Sequence, residues 1–472
     1  RGKVIGGSSS INGMIYVRGN PGDYHEWARS GATGWDYPDV LPYFQRMEKS
    51  HGGTSEFRGS HGPLHVTHGK RDNPLHEAFV SAAQQAGYER TEDYNGYRQE
   101  GFGPADMTVH NGSRFSTAKA YLKPALAKKN VKLVTRALVD KIIFEGKKAV
   151  GVEFFHQGQK KIIKVKKDVI LSAGSINSPA ILQRSGIGNA DHLKNLGIEV
   201  RSHLPGVGEN LQDHLEVYFQ VKCLQPITLY KYLNPFSKLL IGMQWMFLKS
   251  GPGATNQFET LGFIRSDKNI SYPDIQFHFL PVAIRYDGKA PSEGHGFQLH
   301  VGPMRSGSRG YVKINSSDPQ KAPIIKFNYM SHEEDFPTFR KALRLSREIL
   351  SQSAMDPFNG GEIQPGNEVV SDDGLDEFIR NNCESAYHPC GTCKIGQVED
   401  PTTVVENDCK VKGFSNFFLA DSSIFPRICN GNLNSPSIMT GEKASDHILG
   451  KAPLTPSNLK PFVHPDWQNS QR

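Results

Sequence analysis

Apolar runs that end in glycine turns mark the predicted strand-to-helix units of the chain. The first lies at residues 169–186, VILSAGSINSPAILQRSG. Its opening run of aliphatic residues favours a short strand. Ser178 followed by Pro179 is typical of a helix N-cap and first helical residue, and Gly186 is typical of the position after a helix end. The pattern predicts a strand, a tight turn and a helix, which is the half-unit of a doubly wound α/β sheet.

A second unit of the same kind lies near the C-terminus. Residues 416–421, NFFLAD, predict a strand that ends at Asp421. Residues 434–450 predict a helix with Ser435 as its N-cap and Gly450 after its end. Open α/β sheets bind ligands at the carboxyl edge of their strands, so the polar turns after both strands are candidate binding positions.

Strict alternation of apolar and polar residues appears between these two units. Residues 133–155 alternate on both sides of the turn Glu145-Gly146 and predict a hairpin. The basic stretch at 158–168 adds a third strand with a solvated face, so a β-meander is expected beside the α/β core.

The middle of the chain has a different pattern. Residues 274–284 (DIQFHFLPVAI) and 296–304 (GFQLHVGPM) alternate as half-exposed strands of an antiparallel sheet do. We therefore expect residues 217–383 to form a substrate domain. The tail, residues 452–472, is rich in proline and polar residues and predicts a surface extension, in part disordered.

Composition excludes several classes of protein. The 472 residues exceed the roughly 100–200 residues of one domain, so we expect two domains. The formal net charge of +7 arises from scattered Lys and Arg residues, and no nucleic-acid partner is expected. Six cysteines in so long a chain do not predict a disulfide scaffold and indicate a reducing compartment.

The longest apolar segment, residues 239–248, is far shorter than the roughly 18 residues of a membrane-spanning helix. It predicts a core or pocket helix, and the alternative is a peripheral contact with a membrane.

The segment ESAYHPCGTCKIG, residues 384–396, concentrates chemistry-bearing side chains. On the residues alone, His388 is a metal ligand, a buried structural imidazole or a catalytic base. Cys390 and Cys393 form a single C-x-x-C without a second pair at zinc-finger spacing. We expect no metal site and interpret both cysteines as small buried residues behind His388.

A complete dinucleotide fingerprint, G-x-G-x-x-G, is not found. The nearest candidate, GVGENL at 206–211, has Leu211 where the last glycine belongs. The loop GGSSSINGM at 6–14 offers glycines and hydroxyls that bring backbone amides close to a phosphate or a ring. The chain starts at Arg1 inside this loop, and we expect it to be a fragment.

Four segments in order resemble the glucose-methanol-choline (GMC) oxidoreductases. Residues 1–28 and 174–188 resemble the two family signatures, and residues 384–396 and 431–446 resemble the active-site segments. The resemblance implies a fold of α/β plus antiparallel β, in which an FAD-binding doubly wound domain is interleaved with a substrate domain. Residues 1–216 would form the FAD-binding region without its first βαβ unit, and residues 384–451 would return to it with the active site.

The resemblance also implies residue roles. His388 would be the catalytic base, since an imidazole can hold a hydroxyl proton near neutral pH, and Asn432 would hydrogen-bond the developing alkoxide. The positions implied for FAD contacts are Asn12, Gly13 and Met14 over the ring, Val139 at the adenine, Asp421 near the ribityl and pyrophosphate, and Asn434 at a helix start, where it either caps the helix or contacts the flavin. Ile11 occupies the position where some members carry a histidine linked to FAD, so non-covalent FAD is expected.

Within the family, the chain is most similar to members that oxidise choline. A trimethylammonium group needs aromatic faces and an anion, and the resemblance implies Tyr387 and Glu259, with Trp245 or Phe258 completing the pocket. The implied partners are choline as the small-molecule alcohol and a quinone or other non-NAD electron acceptor. Peripheral association with a membrane, at the matrix side of the mitochondrial inner membrane, is implied as well. The rival hypotheses are oxidation of another alcohol and an inactive scaffold.

Overall fold

Helices and strands alternate at both ends of the chain, and an antiparallel sheet is built mainly from its middle. The computed structural model describes residues 2–52, 55–284 and 294–472. Within these ranges the α-helices are α1 (Pro21–Arg29), α2 (Tyr37–Met47), α3 (Pro74–Gln85), α4 (Lys123–Leu126), α5 (Gly174–Arg184), α6 (Ala190–Asn195), α7 (Pro235–Leu248), α8 (Asp335–Leu350), α9 (Asp372–Asn382) and α10 (Asn434–Ile448).

The strands of the same ranges are β1 (Glu48–Ser50), β2 (Leu64–His68), β3 (Gly101–Pro104), β4 (Asp106–Met107), β5 (Val109–His110), β6 (Ser113–Arg114), β7 (Ala137–Glu145), β8 (Lys148–His156), β9 (Gln159–Lys164), β10 (Val169–Leu171), β11 (Ile187–Gly188), β12 (Ser202–His203), β13 (Leu215–Cys223), β14 (Thr260–Ile264), β15 (Ile275–Leu280), β16 (Gly296–Pro303), β17 (Tyr311–Lys313), β18 (Ile324–Lys326), β19 (Asn359–Gln364), β20 (Glu384–Ser385) and β21 (Phe417–Leu419).

The two predicted strand-to-helix units meet in space. Strands β10 and β21 pair in parallel, with Val169 opposite Phe417 and Leu171 opposite Leu419. Helix α5 follows β10, and helix α10 follows β21 after a short helical turn. The carboxyl ends of both strands therefore lie at one edge, where open α/β sheets bind ligands.

Helix α5 begins one turn earlier than the sequence predicts. It starts at Gly174, whose φ of +80° lets the chain turn sharply out of β10. Ser178 and Pro179 thus lie inside the helix, and the predicted N-cap is wrong. The Ser178 hydroxyl instead accepts from the Ala173 N–H at 3.0 Å and donates to an Asp421 carboxylate oxygen at 2.6 Å, so it joins the two strand ends.

Helix α10 also begins before its predicted cap. Its first residue is Asn434, and Leu433 at the N-cap position supplies no side-chain hydrogen bond, so the prediction of Ser435 as N-cap is wrong. Gly186 and Gly450 follow the ends of α5 and α10 with φ of +83° and +66°, which confirms the predicted helix ends.

The predicted β-meander is confirmed. Strands β7, β8 and β9 form an antiparallel three-stranded sheet, and Gly146 turns the first hairpin at a φ of +57°. Strand β9 is exposed along its whole length, as expected for the basic stretch at 158–168.

The central sheet is antiparallel throughout and has the order β19-β13-β16-β15-β14-β3, with β20 pairing to β13. Two of these strands come from outside residues 217–383, because β3 lies upstream and β20 downstream of that range. Through these strands the N-terminal region and the active-site segment are built into the same sheet.

Both faces of the central strands are buried, so the prediction of a half-exposed sheet is wrong. Ile275, Phe277 and Phe279 point into an apolar cluster with side chains of α3 and α8. Their neighbours Gln276 and His278 are buried as well, on the opposite face. The alternation in the sequence therefore separates an apolar core from a buried polar surface, and buried polar side chains require partners.

Helix α7 contains the longest apolar segment and lies on the surface. None of its residues is buried, and Phe247 and Leu248 are 76% and 70% exposed. The prediction of a core or pocket helix is wrong. Trp245 donates to the Gly112 carbonyl at 2.7 Å and stacks under the Lys249 ammonium, 3.7 Å from its ring centre. In the described part of the chain, no helix has the length and apolar character needed to cross a membrane.

The tail after α10 runs over the surface without helix or strand, as predicted for an extension. The Ser457 N–H donates to the Pro38 carbonyl at 2.9 Å, and the Phe462 N–H donates to the Tyr97 carbonyl at 2.7 Å. These contacts attach the tail to the N-terminal region.

A buried group of charges fixes the N-terminal region. One Glu48 carboxylate oxygen accepts from Arg18 at 2.6 Å and from Arg58 at 2.8 Å, and Arg58 also reaches Asp106 at 2.9 Å. Burial alone would raise the pKa of Glu48, but the two guanidinium groups outweigh it and lower the pKa. A carboxylate so enclosed is stabilised only while its partners remain.

We expect Glu48→Gln to lower the stability of the holoprotein by about 3 kcal/mol, because it leaves the buried Arg18 guanidinium without its anion and removes one of the carboxylates that pair with Arg58. The thermal melting midpoint measures this. Because the folded-state pKa of Glu48 lies below its ordinary 4.5, the difference is present at neutral pH and shrinks as the pH falls below that value. Glu199→Gln, which breaks the exposed ion pair with Arg201, should cost less than about 1 kcal/mol. Equal effects of the two variants would contradict the argument.

Candidate active site

The loop after β20 presents His388 at the polar face of the central sheet. Its backbone N–H donates to an Asp213 carboxylate oxygen at 2.7 Å, and the carbonyl of the following Pro389 accepts from the Ser175 hydroxyl at 2.8 Å. The preceding Tyr387 has a φ of +61°, a conformation that side chains rarely adopt. The histidine is thus held on both sides by hydrogen bonds from other segments.

A chain of hydrogen bonds fixes the tautomer of His388. His214 contacts the Met304 carbonyl through Nε2 at 3.1 Å, and a carbonyl only accepts, so Nε2 carries the hydrogen. Burial lowers the pKa of His214 to about 4, so the ring is neutral and its Nδ1 is an acceptor. His388 Nδ1, at 3.1 Å from that atom, must therefore donate. The lone pair of neutral His388 is then on Nε2, the nitrogen that can take a proton.

Asn432 lies against this nitrogen. Its Nδ2 is 3.2 Å from His388 Nε2. Its Oδ1 accepts from Gln276 Nε2 and faces His278 Nε2, each at 3.3 Å. Because the Gln276 amide donates to the oxygen, the Asn432 amide is oriented with its NH₂ group toward His388. The two residues predicted to be catalytic are therefore adjacent, with one acceptor and one donor side by side.

His278 was missed by the sequence analysis. Burial lowers its pKa, which favours the neutral ring, and its Nε2 faces the Asn432 side-chain oxygen at 3.3 Å. The alternation in DIQFHFLP places His278 on the same face as Gln276, and this was the available signal. Burial of that face could not be inferred from the pattern.

A further layer of polar groups lies behind these residues. His300 contacts Glu216 through Nδ1 at 2.8 Å and Gln298 through Nε2 at 2.6 Å. The Phe258 ring packs edge-on against His300 and His278, with ring centres 5.2 Å and 6.1 Å apart. Glu216, like Asp213, is therefore a buried carboxylate of the site that was not among the predicted residues.

The predicted substrate residues lie in different surroundings. Glu259 is 6% exposed, and its Oε2 accepts from the Arg71 N–H at 2.7 Å. Tyr387 is 63% exposed beside His388. Trp245 lies on the surface helix α7, so Phe258 is the aromatic candidate that contacts the polar face.

The loop predicted to lie over a flavin ring is held by the β5–β6 hairpin. Asn12 Oδ1 accepts from the Met14 N–H at 3.1 Å and from Arg114 at 2.7 Å, and the Met14 carbonyl accepts from the Thr108 N–H at 2.8 Å. Met14 has a φ of +61°, and no atom lies within 4 Å of the position that a Cβ on Gly13 would take. The loop therefore has open space beside a strained backbone.

Asp421 connects the parallel strands with helix α5. Its Oδ2 accepts from the Gly174 N–H at 2.8 Å, and its Oδ1 accepts from the Ser423 N–H at 2.7 Å. The position of a Cβ on Gly174 is also free of neighbours within 4 Å. Asp421 thus lies at the ligand-binding edge but uses its oxygens to fix the backbone there.

The start of helix α10 has unused hydrogen-bonding capacity. No side chain caps it, and among the described residues the buried Ser435 hydroxyl has no partner. The side-chain amide of Asn434 likewise makes no hydrogen bond to the described chain. An uncapped helix N-terminus favours an electron-rich group, because its free amides and its dipole point toward that group.

These features fit FAD. Val139 lies in β7 at a register irregularity, and its neighbour Leu138 is exposed, as are Ile11 and Ile170. The residues implied for FAD contacts and their neighbours thus offer exposed apolar side chains, two glycines with open space and an uncapped helix start. A large, partly apolar and partly anionic cofactor satisfies all three.

Cys390 and Cys393 are both buried, and burial raises the pKa of each thiol. Among the described residues they belong to no group of three or more side chains able to hold a metal ion, and neither does His388. His388 contacts His214 and Asn432 through its two ring nitrogens.

Comparison with known proteins supports one family. Residues 1–216 and residues 306–441 match the sequence patterns of the GMC oxidoreductases. The chain is 61% identical over 472 residues to the oxygen-dependent choline dehydrogenase of Brucella anthropi, and the match covers all of this chain and 86% of that protein. The oxygen-dependent choline dehydrogenase of Rhizobium rhizogenes is 56% identical over 472 residues with the same coverage.

Solved structures agree. The fold is similar to that of pyridoxine 4-oxidase from Mesorbium loti, with a TM-score of 0.86 and 28% identity over 96% of this chain and 85% of that chain. Formate oxidase from Aspergillus oryzae shares the fold with a TM-score of 0.89 at 23% identity, over 95% of this chain and 84% of that chain. The expected combination of an FAD-binding region and an antiparallel substrate sheet is confirmed, and this chain belongs to the GMC oxidoreductase family of FAD-dependent enzymes.

Proposed function

We propose that this enzyme oxidises choline to betaine aldehyde and, through the hydrated aldehyde, on to glycine betaine. The observation that carries the proposal is the pairing of His388 Nε2, in a fixed acceptor tautomer, with the Asn432 amide at 3.2 Å. The support for choline is the identity of 56–61% over the full chain with proteins called choline dehydrogenases.

His388 and Asn432 have different roles toward the alcohol. An alcohol oxygen beside both groups gives its proton to His388 Nε2 and accepts a hydrogen bond from Asn432 Nδ2. His214 and His278 remain neutral, so the proton on His388 meets no positive charge from them. When bound, FAD supplies the acceptor for the hydride that leaves the carbinol carbon. The alcohol thus loses a proton and a hydride and becomes an aldehyde.

The same residues can serve a second oxidation. A hydrated aldehyde carries two hydroxyl groups on one carbon, so it offers His388 another proton and Asn432 another oxygen. Asn12, Gly13, Met14, Val139, Asp421 and Asn434 would hold the FAD without a covalent link, since Ile11 lies at the position where some members carry the linking histidine.

Choline would be selected by its charge. We assign the cation to Glu259, whose Oε1 has no hydrogen-bond partner among the described residues, together with Tyr387 and Phe258 in the substrate-binding region 217–383. A buried anion attracts a quaternary ammonium strongly because little water screens the pair.

The surface of helix α7 favours the hypothesis that the electron acceptor is located at a membrane. Its exposed apolar side chains lie in a stretch from Val217 to Phe258 that contains no Asp or Glu, and Lys231, Lys238 and Lys249 accompany them. Apolar side chains with basic neighbours are typical of a helix that lies in the headgroup layer of an anionic bilayer.

The helix also lies near the cofactor loop. Trp245 binds the hairpin at Gly112, and the nearby Asn256 donates to the Gly13 carbonyl at 2.9 Å. A membrane quinone would therefore meet the protein close to the flavin. The mitochondrial location expected from the resemblance gains no support, because the relatives compared are bacterial, and we propose a membrane surface without assigning an organelle.

To test the substrate, we would compare choline with its neutral isostere, in which a tert-butyl group replaces the trimethylammonium. We expect Glu259→Gln to raise the KM for choline about tenfold, the equivalent of 1.4 kcal/mol, and to leave the KM for the isostere nearly unchanged. Glu216→Gln is the matched control, because that carboxylate already binds His300. If Glu216→Gln raised the KM for choline more than Glu259→Gln did, without changing the KM for the isostere, the cation would bind at Glu216 instead of Glu259. If the wild-type holoenzyme formed no betaine aldehyde from choline, the proposed function would be wrong.

The tautomer argument predicts a difference between two His214 variants. In His214→Asn an amide oxygen can replace Nδ1 as acceptor, whereas His214→Leu removes it. We expect His214→Leu to lower kcat about tenfold or more with little change in KM, because a positioning group acts on the proton transfer. His214→Asn should recover most of this loss. The pH profile of kcat should change for the Leu variant, and equal activity of both variants would show that His214 does not fix the tautomer.

The membrane proposal predicts that the holoenzyme sediments with vesicles containing phosphatidylglycerol and less with pure phosphatidylcholine, and that salt weakens the binding. Replacing Phe247 and Leu248 by Ser should reduce the bound fraction at least about tenfold. The control replaces Val370 and Val398, two exposed side chains elsewhere, by Ser. If the α7 variant instead dissociates a dimer and leaves vesicle binding intact, the face binds a second copy and the membrane assignment is wrong.

A further inference from the structure

Three histidines outside the active site converge from separate segments. His51 follows β1, His65 lies in β2 and His110 lies in β5. One ring nitrogen from each lies within 4.8 Å of those of the other two. The segments are fixed to one another, because β1 pairs with β2 and the His51 N–H donates to the Val66 carbonyl at 2.9 Å.

The rings are packed closely. His51 Nε2 lies 2.8 Å from His65 Nδ1, and the centres of the His65 and His110 rings are 3.7 Å apart. Phe115 packs edge-on against His65 and His110, with ring centres at 4.8 Å and 5.6 Å. The apolar wall holds the rings in place on one side, while His51 faces solvent on the other.

Ion pairing with a carboxylate does not explain why the three histidines lie together. Among the described residues no carboxylate forms an ion pair with any of the three rings, and the charged side chains that act electrostatically on His65 and His110 are the cations Lys49 and Lys119.

Three imidazole nitrogens that converge on one centre match the ligand preferences of a borderline metal ion. Imidazole suits Zn²⁺, Cu²⁺ and Ni²⁺, whereas Mg²⁺ and Ca²⁺ require oxygen ligands. A tetrahedral ion with bonds of about 2.0 Å holds its nitrogens about 3.3 Å apart, so side-chain rotations that move the atoms by about 1 Å complete the site. The exposed side of His51 leaves the fourth position to water.

We propose that His51, His65 and His110 form a binding site for a divalent transition-metal ion, separate from the flavin site. The ion would join β1, β2 and the β5–β6 hairpin. Arg114 of that hairpin holds Asn12 of the cofactor loop at 2.7 Å, so an ion at this site would stiffen the support of the loop.

The test is titration of the metal-free FAD holoenzyme with Zn²⁺ by calorimetry. We expect one Zn²⁺ to bind the wild-type enzyme at this site. His51→Asn or His110→Asn should weaken the binding at least about tenfold, because losing a metal ligand should lower the affinity at least as much as losing a residue that only orients a ligand. The matched control is His61→Asn, which changes an exposed histidine of the same segment and should bind Zn²⁺ like the wild type.

Two further readouts separate ligation from folding. Zn²⁺ should raise the melting temperature of the wild type and of His61→Asn but not of His51→Asn, because binding to the folded state alone stabilises it. With Cu²⁺ as the probe, electron paramagnetic resonance should report nitrogen ligands that disappear in His51→Asn. Equal Zn²⁺ binding by His51→Asn and the wild type, or an equal loss in His61→Asn, would overturn the proposal.

Discussion

The active site depends on a single backbone carbonyl. The Met304 carbonyl accepts a hydrogen bond from His214 Nε2, so Nδ1 of the neutral His214 can only accept. His388 therefore donates through Nδ1 and has its lone pair on Nε2. Each step removes one of the two tautomers available to an imidazole. The direction of proton transfer is therefore set by the position of Met304, the residue that directly follows β16.

The central sheet makes this arrangement possible. Its apolar face is covered by helices, and its polar face is equally buried, so every polar side chain there needs a partner. Gln276 and His278 contact the side-chain oxygen of Asn432, and the side-chain nitrogen of Asn432 contacts His388. The same satisfaction of hydrogen bonds that stabilises the sheet therefore orients the reacting groups before a substrate arrives, which is preorganisation in its physical sense.

Local patterns predicted the strand-to-helix units and the meander, because these follow from apolar runs and turn residues. These patterns gave wrong predictions where tertiary contacts determine the start or the location of a helix. The Ser178 hydroxyl serves Asp421 instead of a helix end, and α7 remains on the surface despite its composition. His388 and Asn432 were found through motif resemblance, whereas His214, His278 and the cluster of His51, His65 and His110 were not, since no spacing in the sequence shows that they converge.

The central claim is that His388 is the base that begins choline oxidation. Anaerobic mixing of the FAD holoenzyme with choline, followed through the visible absorbance of the flavin, tests it most directly. The account predicts rapid bleaching by the wild type and bleaching slower by about 100-fold or more in His388→Ala, with equal flavin content in both proteins. Bleaching of the His388→Ala variant at the wild-type rate would contradict it.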